Sequence, residues 1–159
     1  MSEFSRFEVY MLLNQEKPLW LSYIDLSDSD LRGADLSSSI LTNANLSGAD
    51  LRGANLLEAN MGGCNMENAN LIGADLRKAR LRGANLHKAD LREANLAEAD
   101  MMEADLSGSN LIDANLGGVD LTNANLTDAD LTGSNVPDYK ILRAKSLSGT
   151  IMPDGSTHN

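Results

Sequence analysis

From Leu26 to Val136 every fifth residue is apolar. The series holds 23 positions, of which 19 are Leu, three are Met (Met61, Met66, Met101) and the last is Val136, with no break in phase. Two residues before each stands a small side chain: Ala 16 times, Ser four times (Ser29, Ser39, Ser109, Ser134), and otherwise Ile24, Cys64 and Val119. The position between them is Asp or Asn in 21 of 23 units, the exceptions being Ile40 and Arg80. The unit reads Ala-(Asp/Asn)-Leu-x-x over residues 24–138. A helix cannot carry this period, because five residues advance about 500° and successive leucines would spiral around the cylinder. A flat strand fails as well, since an odd repeat sends alternate leucines to opposite faces. The chain must therefore turn once in every pentad, so that Leu and the small residue before it face inward each time and stacked coils bury a continuous column. This predicts an all-β solenoid whose core includes Leu46, Leu51, Leu56, Leu71, Leu76, Leu81, Leu86, Leu91 and Leu96. The last position of the unit is Gly nine times and Asn three times, which suits the third residue of a turn that needs positive φ.

This motif resembles that of the pentapeptide-repeat family, and the resemblance covers residues 24–138. It implies a right-handed quadrilateral parallel β-helix with four pentads per coil, about 5.75 coils for 23 units, and a shaft on the order of 27 Å long. Residues twenty apart should then stack. The wording of the C-terminus is similar to that of cyanobacterial members.

A solenoid exposes its core at both ends and needs caps. Residues 1–23 form the expected N-terminal cap: Ser5 and Glu8 have capping-box spacing, which predicts a short helix ending before Pro18, with Phe4, Phe7 and Trp20 covering the first coil. Residues 139–159 form the expected C-terminal cap and mobile tail. Ile141 keeps the phase there and Ser146 does not. The apolar residues after Pro137 can cover their own shaft or meet a twofold mate, a homodimer through an end cap.

Composition narrows the chemistry. Of 159 residues, 4% are aromatic, so the core rests on Leu, Ala and Met. A single Cys64 excludes an intramolecular disulfide, and two separated histidines, His87 and His158, leave no zinc ligand set. No calcium loop or phosphate-binding glycine loop is present, and no cofactor or metal is expected. Nor is a catalytic residue: His87 stands on an outward position, and Cys64 takes an inward one. Charges interrupt the apolar residues of the first twenty positions, so neither a signal peptide nor a membrane span is predicted, and the chain is read as cytoplasmic.

The formal net charge of −10 argues against direct nucleic-acid or anionic-membrane binding. Its distribution is uneven. Residues 77–92 carry Arg77, Lys78, Arg80, Arg82, Lys88 and Arg92 against Asp90, while residues 93–138 carry ten acids and no base. Stacking by twenties, as the resemblance implies, also places Arg32, Arg52, Ile72, Arg92, Ile112 and Thr132 in one outward column. The belt (with Arg77, Arg80, Arg82) and the strip (Arg32, Arg52, Ile72, Arg92, Ile112) are the candidate binding residues. The expectation is a noncatalytic protein-interaction scaffold whose partner is another protein. The alternative, implied by the resemblance, is a mimic of duplex DNA that binds a type II topoisomerase and protects it from quinolones.

Overall fold

A computed structural model describes residues 6–158, with side chains from Glu8 onward. Each pentad makes one side of a coil and one corner. In Leu31-Arg32-Gly33-Ala34 the Ala34 N–H donates to the Leu31 carbonyl at 3.0 Å, and Ala54 to Leu51 and Ala74 to Leu71 repeat this turn. The residue before each small position has positive φ along the whole shaft, from Asp28 at 57° to Gly133 at 73°. Glu58 at 57° and Lys88 at 55° show that the coil imposes this conformation where Gly and Asn are absent.

Between corners the chain is extended for only three residues, so the sheets are stacks of one-residue rungs. Asp25 pairs in parallel with Asn45, Asn45 with Asn65, and so on in steps of twenty. Four pentads therefore make one coil. Around each rung, Leu46 N–H donates to Asn65 O at 2.6 Å and Asn65 N–H to Ala44 O at 2.9 Å. The one backbone donor that stacking leaves over is the N–H just after each Leu, and the Asp or Asn side chain accepts it: Ser27 to Asp25 and His87 to Asn85, both at 3.0 Å. That is why the unit needs Asp or Asn two residues earlier. Asn adds a second bond, as Asn85 Nδ2 donates to Asn65 Oδ1 one coil back at 3.0 Å.

The rungs sort into four sides. Side 1 carries Trp20, Ile40, Asn60, Arg80, Asp100 and Asp120; side 2 runs from Asp25 to Asn125 and Ser146; side 3 from Asp30 to Asp130 and Ile151; side 4 from Asp35 to Asn115. The axis is filled by the predicted column. Leu46, Leu51, Leu56, Leu71, Leu76, Leu81, Leu86, Leu91 and Leu96 are all buried, with the Ala positions between them. Each contributes roughly 1.5 to 3 kcal/mol, so stability resides in this column.

The ends differ from the simple repeat. Pairing begins at Trp20, a unit before Ile24, with Leu19 and Leu21 buried in the small and Leu positions. Trp20 consequently sits on a rung, 76% exposed, and does not cover the first coil. Helix α1 (Arg6–Leu13) buries Val9 in the core and lays Leu12 and Leu13 against it. The expected contributions of Phe4, Ser5 and the Phe7 side chain lie outside the described residues. At the other end, α2 (Asp138–Ile141) buries Ile141. One extra residue follows, so Asn125 pairs with Ser146 and Asp130 with Ile151, which is why Ser146 breaks the sequence phase while the rungs continue. Beyond Pro153 the chain reverses and runs antiparallel to the last rung, Ile151 against Thr157, with His158 N–H on Thr150 O at 2.8 Å.

Candidate protein-docking surface

The residue after each Leu begins a corner and points outward, so the strip is a corner between sides 3 and 4. Its arginines are exposed but held. Arg32, Arg52 and Arg92 each fold back two residues onto Asp30, Asp50 and Asp90, with Nε and Nη2 donating to the two carboxylate oxygens at 2.6–2.8 Å. Asp50 is shared, as Arg32 Nε lies 3.7 Å from it. The side-chain bond from Arg52 holds the Asp50 carboxyl below its ordinary range, and Asp50 in turn raises the Arg52 guanidinium. Ile72 and Ile112 occupy the same corner, half-buried. The strip is thus a row of fixed, locally neutral Asp–Arg pairs with two aliphatic interruptions. At its start Asp30 and Arg32 line an open hollow with Val9, Tyr10 and Leu13 of α1.

The cationic belt is not a ring. Arg77, Lys78, Arg80 and Arg82 fall on one rung of side 1 and its two corners, whereas Lys88 and Arg92 stand on two other corners. Arg77 closes on Asp75 at 2.6 Å, and Arg82 reaches Glu103 of the next coil at 2.7 Å. The Arg77–Arg82 cluster and the strip are therefore separate surfaces, and Arg92 belongs to the strip.

His87 Nδ1 lies 2.8 Å from Ser107 Oγ, a neighbour that the sequence order concealed. The Ser107 N–H also bonds Asp105 at 3.0 Å, which places this carboxylate on the serine. A hydrolytic relay needs it on the imidazole. Cys64 is buried, its thiol bonded to Leu41 O, and burial pushes its pKa up to about 12. Among the described residues no group of His, Cys, Asp and Glu has the arrangement of a metal site, and no helix is long and apolar enough to cross a membrane. Exposed apolar groups that the repeat pattern did not mark stand at the two ends: Tyr10, Met11, Trp20 and Tyr23 at one, Tyr139 and Leu142 at the other.

The same recurring unit is what relates the chain to known proteins. Eight copies of the pentapeptide repeat match residues 21–56, 59–97 and 99–136. The chain belongs to the pentapeptide-repeat family. Among solved pentapeptide-repeat structures it is similar to Rfr23 of the cyanobacterium Cyanothece 51142, at 37% identity over 57% of this chain and 58% of that one, with TM-score 0.47. This chain thus spans little more than half of the Cyanothece protein. It is similar to HetL of Nostoc, a protein involved in heterocyst differentiation regulation, at 32% identity over 85% and 79% of the two chains with TM-score 0.35. QnrB1, a plasmid-mediated fluoroquinolone resistance protein, shares the repeat-protein β-helix fold at 22% identity, covering 86% and 84% with TM-score 0.52. A comparison with curated proteins finds no match.

Proposed function

We propose that this pentapeptide-repeat protein is a noncatalytic docking scaffold that binds another protein along the corner between sides 3 and 4. The observation that carries this reading is the clamping of Arg32, Arg52 and Arg92 onto their own aspartates, beside Ile72 and Ile112. Side chains already held in one geometry lose little entropy when a partner covers them. The finer architecture belongs to the same reading: right-handed winding, about 5.75 coils for residues 24–138 lengthened by the Trp20 rung at one end and the Ser146 and Ile151 rungs at the other, with α1 closing the first coil through Val9. So does a cytoplasmic site. Mimicry of duplex DNA is the weaker alternative, because the cations of residues 77–92 interrupt the acidic surface and leave the ten acids of residues 93–138 on a short stretch of shaft.

Affinity capture from the native cell with the wild-type chain and with Ile72→Ser/Ile112→Ser tests the reading. The double variant should keep its melting temperature within a few degrees and lose the partner that the wild type retains. Equal retention by both chains would remove the strip.

A further inference from the structure

Both shaft exceptions to the Asp/Asn rule, Ile40 and Arg80, lie on side 1, and Trp20 precedes them on the same side. At these positions the chain gives up the side-chain acceptor that the corner N–H uses elsewhere. Sides 2, 3 and 4 keep it on every rung up to residue 135. Along side 1 the order is apolar (Trp20, Ile40), neutral (Asn60), cationic (Arg80), then anionic (Asp100, Asp120). Its seventh rung is replaced by α2 and Leu142: Lys140 Nζ donates to Val119 O at 2.6 Å, and Asn123 N–H to Arg143 O at 3.0 Å. Tyr139 and Leu142 in that stretch are 66% and 62% exposed. One corner repeats the charge order, with Lys78 below Glu98; at the other Arg82 lies below Met102 and reaches diagonally to Glu103. Among the described residues Lys78, Arg80 and Glu98 close no ion pair, and the Asp100 side chain accepts only the Met102 N–H at 3.1 Å.

We infer that side 1 is a self-complementary interface, on which a second copy of this chain docks antiparallel about a twofold axis midway between the rungs of Arg80 and Asp100. A twofold axis across the rods reverses their direction and keeps each residue's lateral place, so Lys78 faces Glu98 of the second copy and Arg80 faces its Asp100, while Arg82, paired with Glu103 of its own chain, faces the second copy's Met102. Asn60 then meets Asp120, and the Ile40 end lies over the Tyr139–Leu142 end, covering apolar groups of both copies. A parallel pairing would set Arg80 on Arg80. The interface is distinct from the docking corner between sides 3 and 4, which it leaves open.

The test is sedimentation of the full chain at about 50 mM and about 0.5 M salt, a range over which screening shortens from roughly 14 to 4 Å. The expected result is a dimer at low salt that weakens at least about tenfold at high salt. Lys78→Glu/Arg80→Glu makes both central rungs acidic, and Glu98→Lys/Asp100→Arg makes both basic. Native Arg80 shows that the coil accepts Arg at the rung position. Each variant alone should be monomeric with an unchanged far-UV spectrum, and an equimolar mixture should restore the dimer. A wild type that is monomeric at both salts, a mixture that stays monomeric, or a dimer indifferent to the substitutions, as an end-on contact would be, overturns the inference.

Discussion

Ser29 and Ser134 occupy positions that hold Ala in most units, and their hydroxyls are buried without a hydrogen-bond partner among the described residues. Ser109 at an equivalent position donates to Leu106 O at 2.7 Å. An unsatisfied buried hydroxyl costs on the order of 1 kcal/mol or more, so Ser29→Ala and Ser134→Ala should each raise the thermal midpoint, whereas Ser109→Ala should not. Calorimetric melts of the three variants decide this. The corner residues follow the same local logic. A Cβ on Gly63 would run into the Asn43 side chain one coil back, whereas one on Gly33, Gly53, Gly73 or Gly83 would meet nothing, and Glu and Lys adopt the same left-handed conformation at other corners. Gly and Asn in the sequence therefore marked the corner conformation correctly, but crowding between coils, which no single unit displays, decides which corners can carry a longer side chain.

At the scale of the coil, the inward column and the outward corners should respond very differently to charge. Leu86 is buried in the dry axis, so Leu86→Asp places an unpaired carboxylate there and should cost at least about 4 kcal/mol. Thr122 is an outward residue, and its period alone marks Thr122→Asp as neutral. In the structure its N–H and Oγ1 both donate to Asp120 Oδ1, at 3.0 and 2.5 Å, so the new carboxylate would face an existing one. A loss of about 1 kcal/mol or less is expected, and urea midpoints of the two variants should differ several-fold in their displacement. The rungs also set a response to acid. The Lys17 ammonium, and then the Ser37 hydroxyl, hold the Asp35 carboxyl down at about 2, and the side-chain bonds of Arg52, Arg77 and Arg92 lower Asp50, Asp75 and Asp90. A carboxylate whose folded pKa lies below its unfolded one contributes fully above about pH 4 and loses that contribution as pH falls through the folded value. Stability should therefore be level from neutrality to about pH 5 and decline toward pH 2, as urea midpoints along that range would show. A midpoint that rises on acidification would contradict the clamps.

For the whole molecule, the five-residue period was enough to read the inward column, the turn in every unit and the inert place of Cys64, because each follows from burial and backbone geometry within one pentad. The position of Trp20 was not legible, since its unit has Leu19 at the small position and Trp at the Asp/Asn position while the backbone continues unchanged. Nor could linear charge counts show that four cations of residues 77–82 share one rung beneath three acids, because that depends on which corner each residue turns. The Asp-x-Arg spacing of the clamps is present in the chain, yet only the corner geometry brings residues two apart into bidentate contact. The antiparallel return of residues 156–158 bears on a different hazard. Rungs spaced like those of a cross-β fibre leave an open row of donors and acceptors at the last coil, a template on which further chains could add without limit. Met152 N–H on Ser156 O and His158 N–H on Thr150 O occupy part of that row with the protein's own backbone, so the strand-like growth that the shaft invites is blunted at this terminus.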